Sequence, residues 1–273
     1  MTPAAHAGIG TDRYYDEITA STAIIARLVA DGDLATPIPT CPDWTLRKLV
    51  NHLGRAHRWA ASITSTRSAE FIPFQSVPDG KAPDDEAGAA RWLEAGAEQL
   101  IAAVREADGD PVWAFVVGAQ APASIWGRRM AHETLVHRAD VQLAFSRPVE
   151  IEADLAADAI DEWLDVMSGP LLGQPDLRAE ALPVGRTLHV HAVQATPATT
   201  AGDGEPVPSE WLVRHGDDGV TVEREHAKAD VAVTGPAARL LLALLRRLPA
   251  DDPSITVYGD GGLLTGWLAG TQF

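Results

Sequence analysis

IWGRRMAHETLVHRADVQLAF, residues 125–145, reads as one long helix, and inside it HETLVHRAD (132–140) nearly spells the zinc signature H-E-x-x-H. The second histidine of that signature would stand at position 136, where the chain has Val136; histidine arrives one residue later, at His137. The residue four positions before it is therefore Glu133 instead of His132. Stepping by four and three along the helix gives Trp126, Met130, Glu133, His137, Val141 and Ala144, a stripe apolar at both ends and polar in its middle. Glu133 and His137 thus point where a core should be.

The neighbouring segments supply the rest of a bundle. YYDEITASTAIIARLVADG (14–32), PDWTLRKLVNHLGRAHRWAASI (42–63) and DEAGAARWLEAGAEQLIAAVREA (85–107) carry helical periodicity, and ADLAADAIDEWLDVMSG (153–169) is a shorter fifth helix. Asp43 is the expected N-cap of the second. Four amphipathic helices of this length predict an antiparallel four-helix bundle. FIPFQSVPDGKAPDDEAG (71–88) is too rich in Pro and Gly for a regular element, and is either a cover over a site or a disordered loop. In the second helix the inward stripe is Leu49, His52, Ala56, Trp59 and Ile63, with His52 its one polar member. An unpaired ionised carboxylate in a core costs several kcal/mol, whereas a shared divalent cation would satisfy His52, Glu133 and His137 together. The competing reading is a core histidine with ordinary hydrogen bonds and a Glu/His pair spaced as helix-surface neighbours. Two histidines and a carboxylate suit a catalytic zinc site and equally a ferrous oxygenase triad, so ligand type alone leaves the metal open. His57 and His132 lie off both stripes and are expected near the surface. Asp140, three residues beyond His137, either orients it or pairs with an arginine.

After about residue 170 the period changes. RTLHVHAV (186–193), EWLVRHG (210–216), GVTVERE (219–225), ADVAVTG (229–235) and DPSITVYGD (252–260) read as short strands, with helices at PAARLLLALLRRL (236–248) and LLTGWLAG (263–270). The expected architecture is two domains: a helical bundle over 1–170 and a smaller α+β domain with a mainly antiparallel sheet over 171–273. ATPATTAGDGEPVPS (195–209) is read as a flexible loop inside the second. His189 and His191 alternate along one strand face and have ligand-type side chains, although an exposed sheet face explains them more simply.

Composition narrows the function classes. The chain has 273 residues, 46% of them hydrophobic, enough for a substantial core. Its 38 acidic and 22 basic residues give a net charge of −16, which repels phosphate backbones and anionic membranes. Nucleic-acid and membrane partners are not expected. A single cysteine, Cys41, forms no internal disulfide, and next to Pro42 without an evident base it is read as a packing residue. The start, MTPAAHAGIG, lacks the basic and apolar regions of a signal peptide, and no apolar run approaches the roughly 20 residues of a membrane helix. A soluble, cytoplasmic monomer is expected.

TCPDWTLRKLVNHLGRAHRW in the first half, and W-x6-E-x3-HR-x-D (Trp126, Glu133, His137, Arg138, Asp140) in the second, resemble the mycothiol-dependent maleylpyruvate isomerase family, whose N-terminal half is a DinB-like metal-binding bundle. VTGPAARLLLALLRRLPADDPSITVYGDGGLLTGWL (233–268) is similar to that family's C-terminal domain, which resembles sterol-carrier proteins. The resemblance implies that His52, Glu133 and His137 bind a divalent metal, with zinc the expected ion and mycothiol the thiol cosubstrate. It places Arg247 where it would hold a substrate carboxylate, although the family's Trp-Gly before that arginine is replaced by Leu245-Arg246. The implied function is a metal-dependent isomerase or S-transferase that joins a low-molecular-weight thiol to an electrophilic small molecule, maleylpyruvate in the type case. The alternative is a non-enzymatic small-molecule or lipid-binding protein whose metal is structural or absent.

Overall fold

The structure is a computed structural model that describes residues 9–115, 119–169, 181–193 and 209–271. The chain divides into two compact units, one over Gly10–Ala114 and Ala119–Val149, the other over Glu150–Phe273 with two short pieces of earlier chain. Among the described residues no helix is long and apolar enough to cross a membrane.

The first unit is helical. Its helices are α1 (Thr11–Ala30), α2 (Leu46–Ser65), α3 (Glu86–Ala107) and α4 (Ser124–Ala144). α1 and α2 each pack against both α3 and α4. Ile25, Val29, Leu46, Leu49, Leu53 and Leu93 are fully buried between them. Gly54 lets α2 approach α3 closely, because a Cβ there would lie 2.1 Å from the Trp92 ring.

The start of α2 differs from expectation. Asp43 is not its cap: it lies at φ 64, inside a turn in which Ile38 N–H donates to the Trp44 carbonyl. The N-cap is Thr45, whose Oγ1 accepts from Lys48 N–H at 3.4 Å. That turn delivers Thr40 and Cys41 to Asp140 on α4, and Trp44 to His52 and His137. α3 begins as expected, with Asp85 accepting from Gly88 N–H. No strand is predicted for residues 108–124, yet β1 (Pro111–Ala114) and β2 (Ala119–Pro122) form an antiparallel pair.

The segment between α2 and α3 contains a short 3-10 turn, Phe74–Ser76, and is firmly tied down. Trp59 Nε1 donates to Ile72 O, Arg55 Nε to Gly80 O, and Ala82 N–H to Asn51 Oδ1. Val77 and Ala82 are buried.

The second unit joins α5 (Ala153–Ser168) to a five-stranded mixed sheet. Its strands are β3 (Thr187–Val193), β4 (Glu210–Gly216), β5 (Gly219–Glu223), β6 (Val231–Pro236) and β7 (Thr256–Gly259), in the order β5-β4-β3-β6-β7. The β3–β6 pairing is parallel and the other three are antiparallel. α6 (Ala237–Leu244) follows β6, and α7 (Gly261–Gly270) follows β7. The change of period near residue 170 does not coincide with the division at Val149/Glu150, because α5 packs against β5 and α6. The contacts have a clear cause: buried Asp161 on α5 accepts from Trp211 Nε1 at 2.9 Å and from Arg224, which also reaches Asp165. The expected loop at 195–209 falls almost wholly outside the described residues.

Candidate metal centre

The one-residue offset in HETLVHRAD has a geometric consequence. Glu133 and His137 are one helical turn apart on α4, so their heads meet: His137 Nε2 lies 3.2 Å from Glu133 Oε1. His52 arrives from α2, with Nε2 2.9 Å from the same oxygen. These ligand-type atoms all lie within 4.8 Å of one another. A tetrahedral ion with nitrogen and oxygen ligands at ordinary zinc distances holds them about 3.3 Å apart, so the residues fit a divalent cation with little movement. Exposure rises across the group, from 8% for the His137 side chain through 24% for Glu133 to 34% for His52, which leaves the site open toward solvent on the His52 side.

A second ring of contacts orients these groups. His137 Nδ1 is 2.9 Å from Asp140 Oδ2, and Asp140 is fully buried. Thr40 Oγ1 donates to the other Asp140 oxygen at 2.6 Å, and Cys41 Sγ lies 3.4 Å from Oδ2. The proton of a neutral His137 is therefore held on Nδ1, and Nε2 presents its lone pair to Glu133 and His52. Arg129 donates to Glu133 Oε2 at 2.8 Å from one turn earlier on α4. The Trp44 ring stacks on His137 at 5.9 Å and tilts over His52 at 5.0 Å, and Phe74 lies 6.4 Å from His52.

The charges follow from this packing. Burial pushes the Glu133 carboxyl up, but hydrogen bonds from His137 and His52, with the charges of His137 and Arg129, hold it well below the usual carboxylate range. Burial lowers His137, yet Asp140 and Glu133 outweigh it and raise the imidazole to about 9. A cation bound here would compete with the His137 proton.

The structure brings together the three residues expected from the stripes and adds Arg129, Thr40 and Trp44, which were not anticipated. Arg129 was visible in principle, four residues before Glu133. Thr40 and Trp44 come from a turn whose shape no periodicity encodes. His57 and His132 are corrections: both are buried, at 0% and 2% exposure. α4 packs on α1, α2 and α3, so its buried surface is far wider than one stripe. His57 Nε2 lies 2.9 Å from Thr134 Oγ1, and burial first, then the charge of Arg58, lowers its pKa to about 3. It is a neutral core residue.

Two family models match the chain in order, the mycothiol maleylpyruvate isomerase N-terminal domain over residues 15–142 and the corresponding C-terminal domain over 154–266. The chain belongs to the mycothiol maleylpyruvate isomerase family. Crystal structures of mycothiol-dependent maleylpyruvate isomerase share its fold: one at 15% identity and TM-score 0.55, covering 91% of this chain and 92% of that one. A histidine-to-alanine variant of that protein aligns at 14% identity and TM-score 0.52, covering 85% and 88%. No curated protein matches significantly by sequence. Both family models thus leave the chain's α4–α5 junction between them, in agreement with the division into compact units.

In this family member the two adjacent arginines after α6 are distinguishable. Arg246, at φ 60, donates to the carbonyls of Leu268 and Thr271 and so closes the end of α7. Arg247 donates to the Leu245 carbonyl at 2.8 Å. Arg246 is thus committed to packing against the end of α7.

Proposed function

We propose that this protein is a divalent-metal enzyme that uses the thiol of mycothiol on an electron-poor small molecule, either as an isomerase of maleylpyruvate-like substrates or as an S-transferase, with zinc as its metal. The observation that carries the reading is the convergence of His52, Glu133 and His137 on one part-exposed point of the bundle, in a chain of this family. Three protein ligands leave a coordination position open. When bound, the metal supplies positive charge that favours thiolate over thiol near neutral pH.

The chain's own residues do the positioning. His52, Glu133 and His137 hold the cation, Asp140 keeps the His137 proton on Nδ1, and Arg129 orients Glu133 by donating to its Oε2. The opening beside His52, flanked by Trp44 and Phe74, admits a small thiol and its electrophile. Arg247 holds a substrate carboxylate.

The test is incubation of the zinc-loaded protein with mycothiol and a panel of electrophiles that includes maleylpyruvate, read by mass for adducts and by absorbance for isomerisation. Thiol-dependent turnover that disappears in Glu133→Gln is expected, with Arg247→Ala raising KM for carboxylate substrates more than it lowers kcat. Saturable binding of an apolar ligand that survives chelation, without turnover, would identify a binding protein instead.

A further inference from the structure

A second group of metal-type ligands lies in the sheet unit and shares no residue with the bundle group. His189 is on β3, Glu210 opens β4, and His226 stands in the connection from β5 to β6. Their ligand atoms lie within 4.8 Å of one another. Pairing of β3 with β4 sets His191 opposite Glu210. Because alternate residues of a strand share a face, His189 and His191 lie on the same side, opposite to the side from which Trp211 reaches Asp161 on α5.

The burial and contacts of this cluster suit metal ligands. His189 is 4% exposed, and its Nε2 is buried with no hydrogen-bond partner although it lies 3.2 Å from Glu210 Oε2. A buried imidazole nitrogen left unsatisfied costs free energy that a metal bond would recover. His226 Nδ1 meets the same Glu210 Oε2 from the solvent side, with its side chain 77% exposed. His191 Nε2 lies 3.8 Å from Glu210 Oε1, at the rim. Two buried or half-buried ligands from adjacent strands and one from an exposed connection give both a rigid base and an entry path.

We propose that His189, Glu210 and His226 form a second divalent-metal site in this protein, of the imidazole-rich type that takes zinc or its first-row neighbours, with His191 at its edge. The ion ties the β5–β6 connection to the centre of the sheet. Its donors are two neutral imidazoles and one carboxylate, a set that favours zinc, nickel or copper over magnesium or calcium. The inference does not depend on the proposed reaction, because its ligands and its test are separate.

The experiment is a Zn2+ titration of the metal-free full chain against a chromophoric chelator. Two equivalents are expected. His226→Ala, an exposed change that leaves the core intact, and Glu210→Gln should each weaken one equivalent by at least about tenfold and leave the other unchanged. Glu133→Gln should do the converse, removing the bundle equivalent while the sheet equivalent remains. Zn2+ should raise the Tm of Glu133→Gln, and adding His226→Ala should abolish that rise. A wild-type chain that takes up only the equivalent sensitive to Glu133→Gln, or a second equivalent unmoved by both His226→Ala and Glu210→Gln, would overturn the proposal.

Discussion

The two ligand clusters have the same composition, two imidazoles and a carboxylate, and are built by opposite means. In the bundle, Glu133 and His137 sit one turn apart on α4, and each has a dedicated partner behind it, Arg129 and Asp140. In the sheet, His189, Glu210 and His226 come from two strands and a connection, and His226 is largely exposed. Helical spacing makes a site rigid and readable; strand register makes one that depends on three separate pieces of chain. A similar donor set serves different ends according to what supports it. The bundle site is oriented and open toward solvent on its His52 side, as catalysis requires, whereas the sheet site is a clasp.

The comparison breaks most easily at Glu133, the oxygen shared by both bundle histidines. Glu133→Gln is expected to lower thiol-dependent activity by more than about a hundredfold, beyond the usual cost of losing an outer contact, and to leave zinc at the sheet site; steady-state kinetics with metal analysis checks both. Asp140→Asn should follow, with metal affinity at the bundle falling about 10- to 100-fold and the sheet site unaffected, as read by competitive titration.

The pH dependence separates the clusters further. In the metal-free protein His137 titrates near 9, above its unfolded value of 6.5. The stability it contributes is therefore fully present below about 6.5 and is lost as pH rises through 9. A cation must displace that proton, so apparent affinity at the bundle should rise by about one log unit per pH unit up to 9. The burial-lowered His189 carries no such raised proton, and the sheet site should show a shallower slope at neutral pH. Titrations at several pH values with Glu133→Gln and His226→Ala resolve the two slopes. The smallest effect concerns His226→Ala without metal: as a surface change it should alter stability by no more than about 0.5 kcal/mol, measured by urea unfolding in chelator.

The same contrast explains what could be read from the chain. The helices over 11–30, 46–65, 86–107 and 124–144 follow apolar periodicity, and the His52/Glu133/His137 grouping follows from two inward stripes. Burial of His57 and His132 was not legible, because it depends on how many neighbours each helix has. Thr45 displaced Asp43 as the cap because the Ile38–Trp44 turn places Asp43 in a left-handed conformation. His189 and His191 were visible as a pair on one strand face, but Glu210 and His226 are 21 and 37 residues from His189 and join it only through the pairing of β3 with β4 and the course of the chain after β5.

The proposed function requires that a thiol bind a cation held by His52, Glu133 and His137. Cobalt(II) in place of zinc makes this directly visible, because thiolate coordination produces a charge-transfer absorption that nitrogen and oxygen ligands do not. Mycothiol added to the cobalt-loaded protein should generate that band in the wild type and in His226→Ala, and not in Glu133→Gln. A cobalt-loaded wild type that binds mycothiol without the band, or a band that persists in Glu133→Gln, would contradict it.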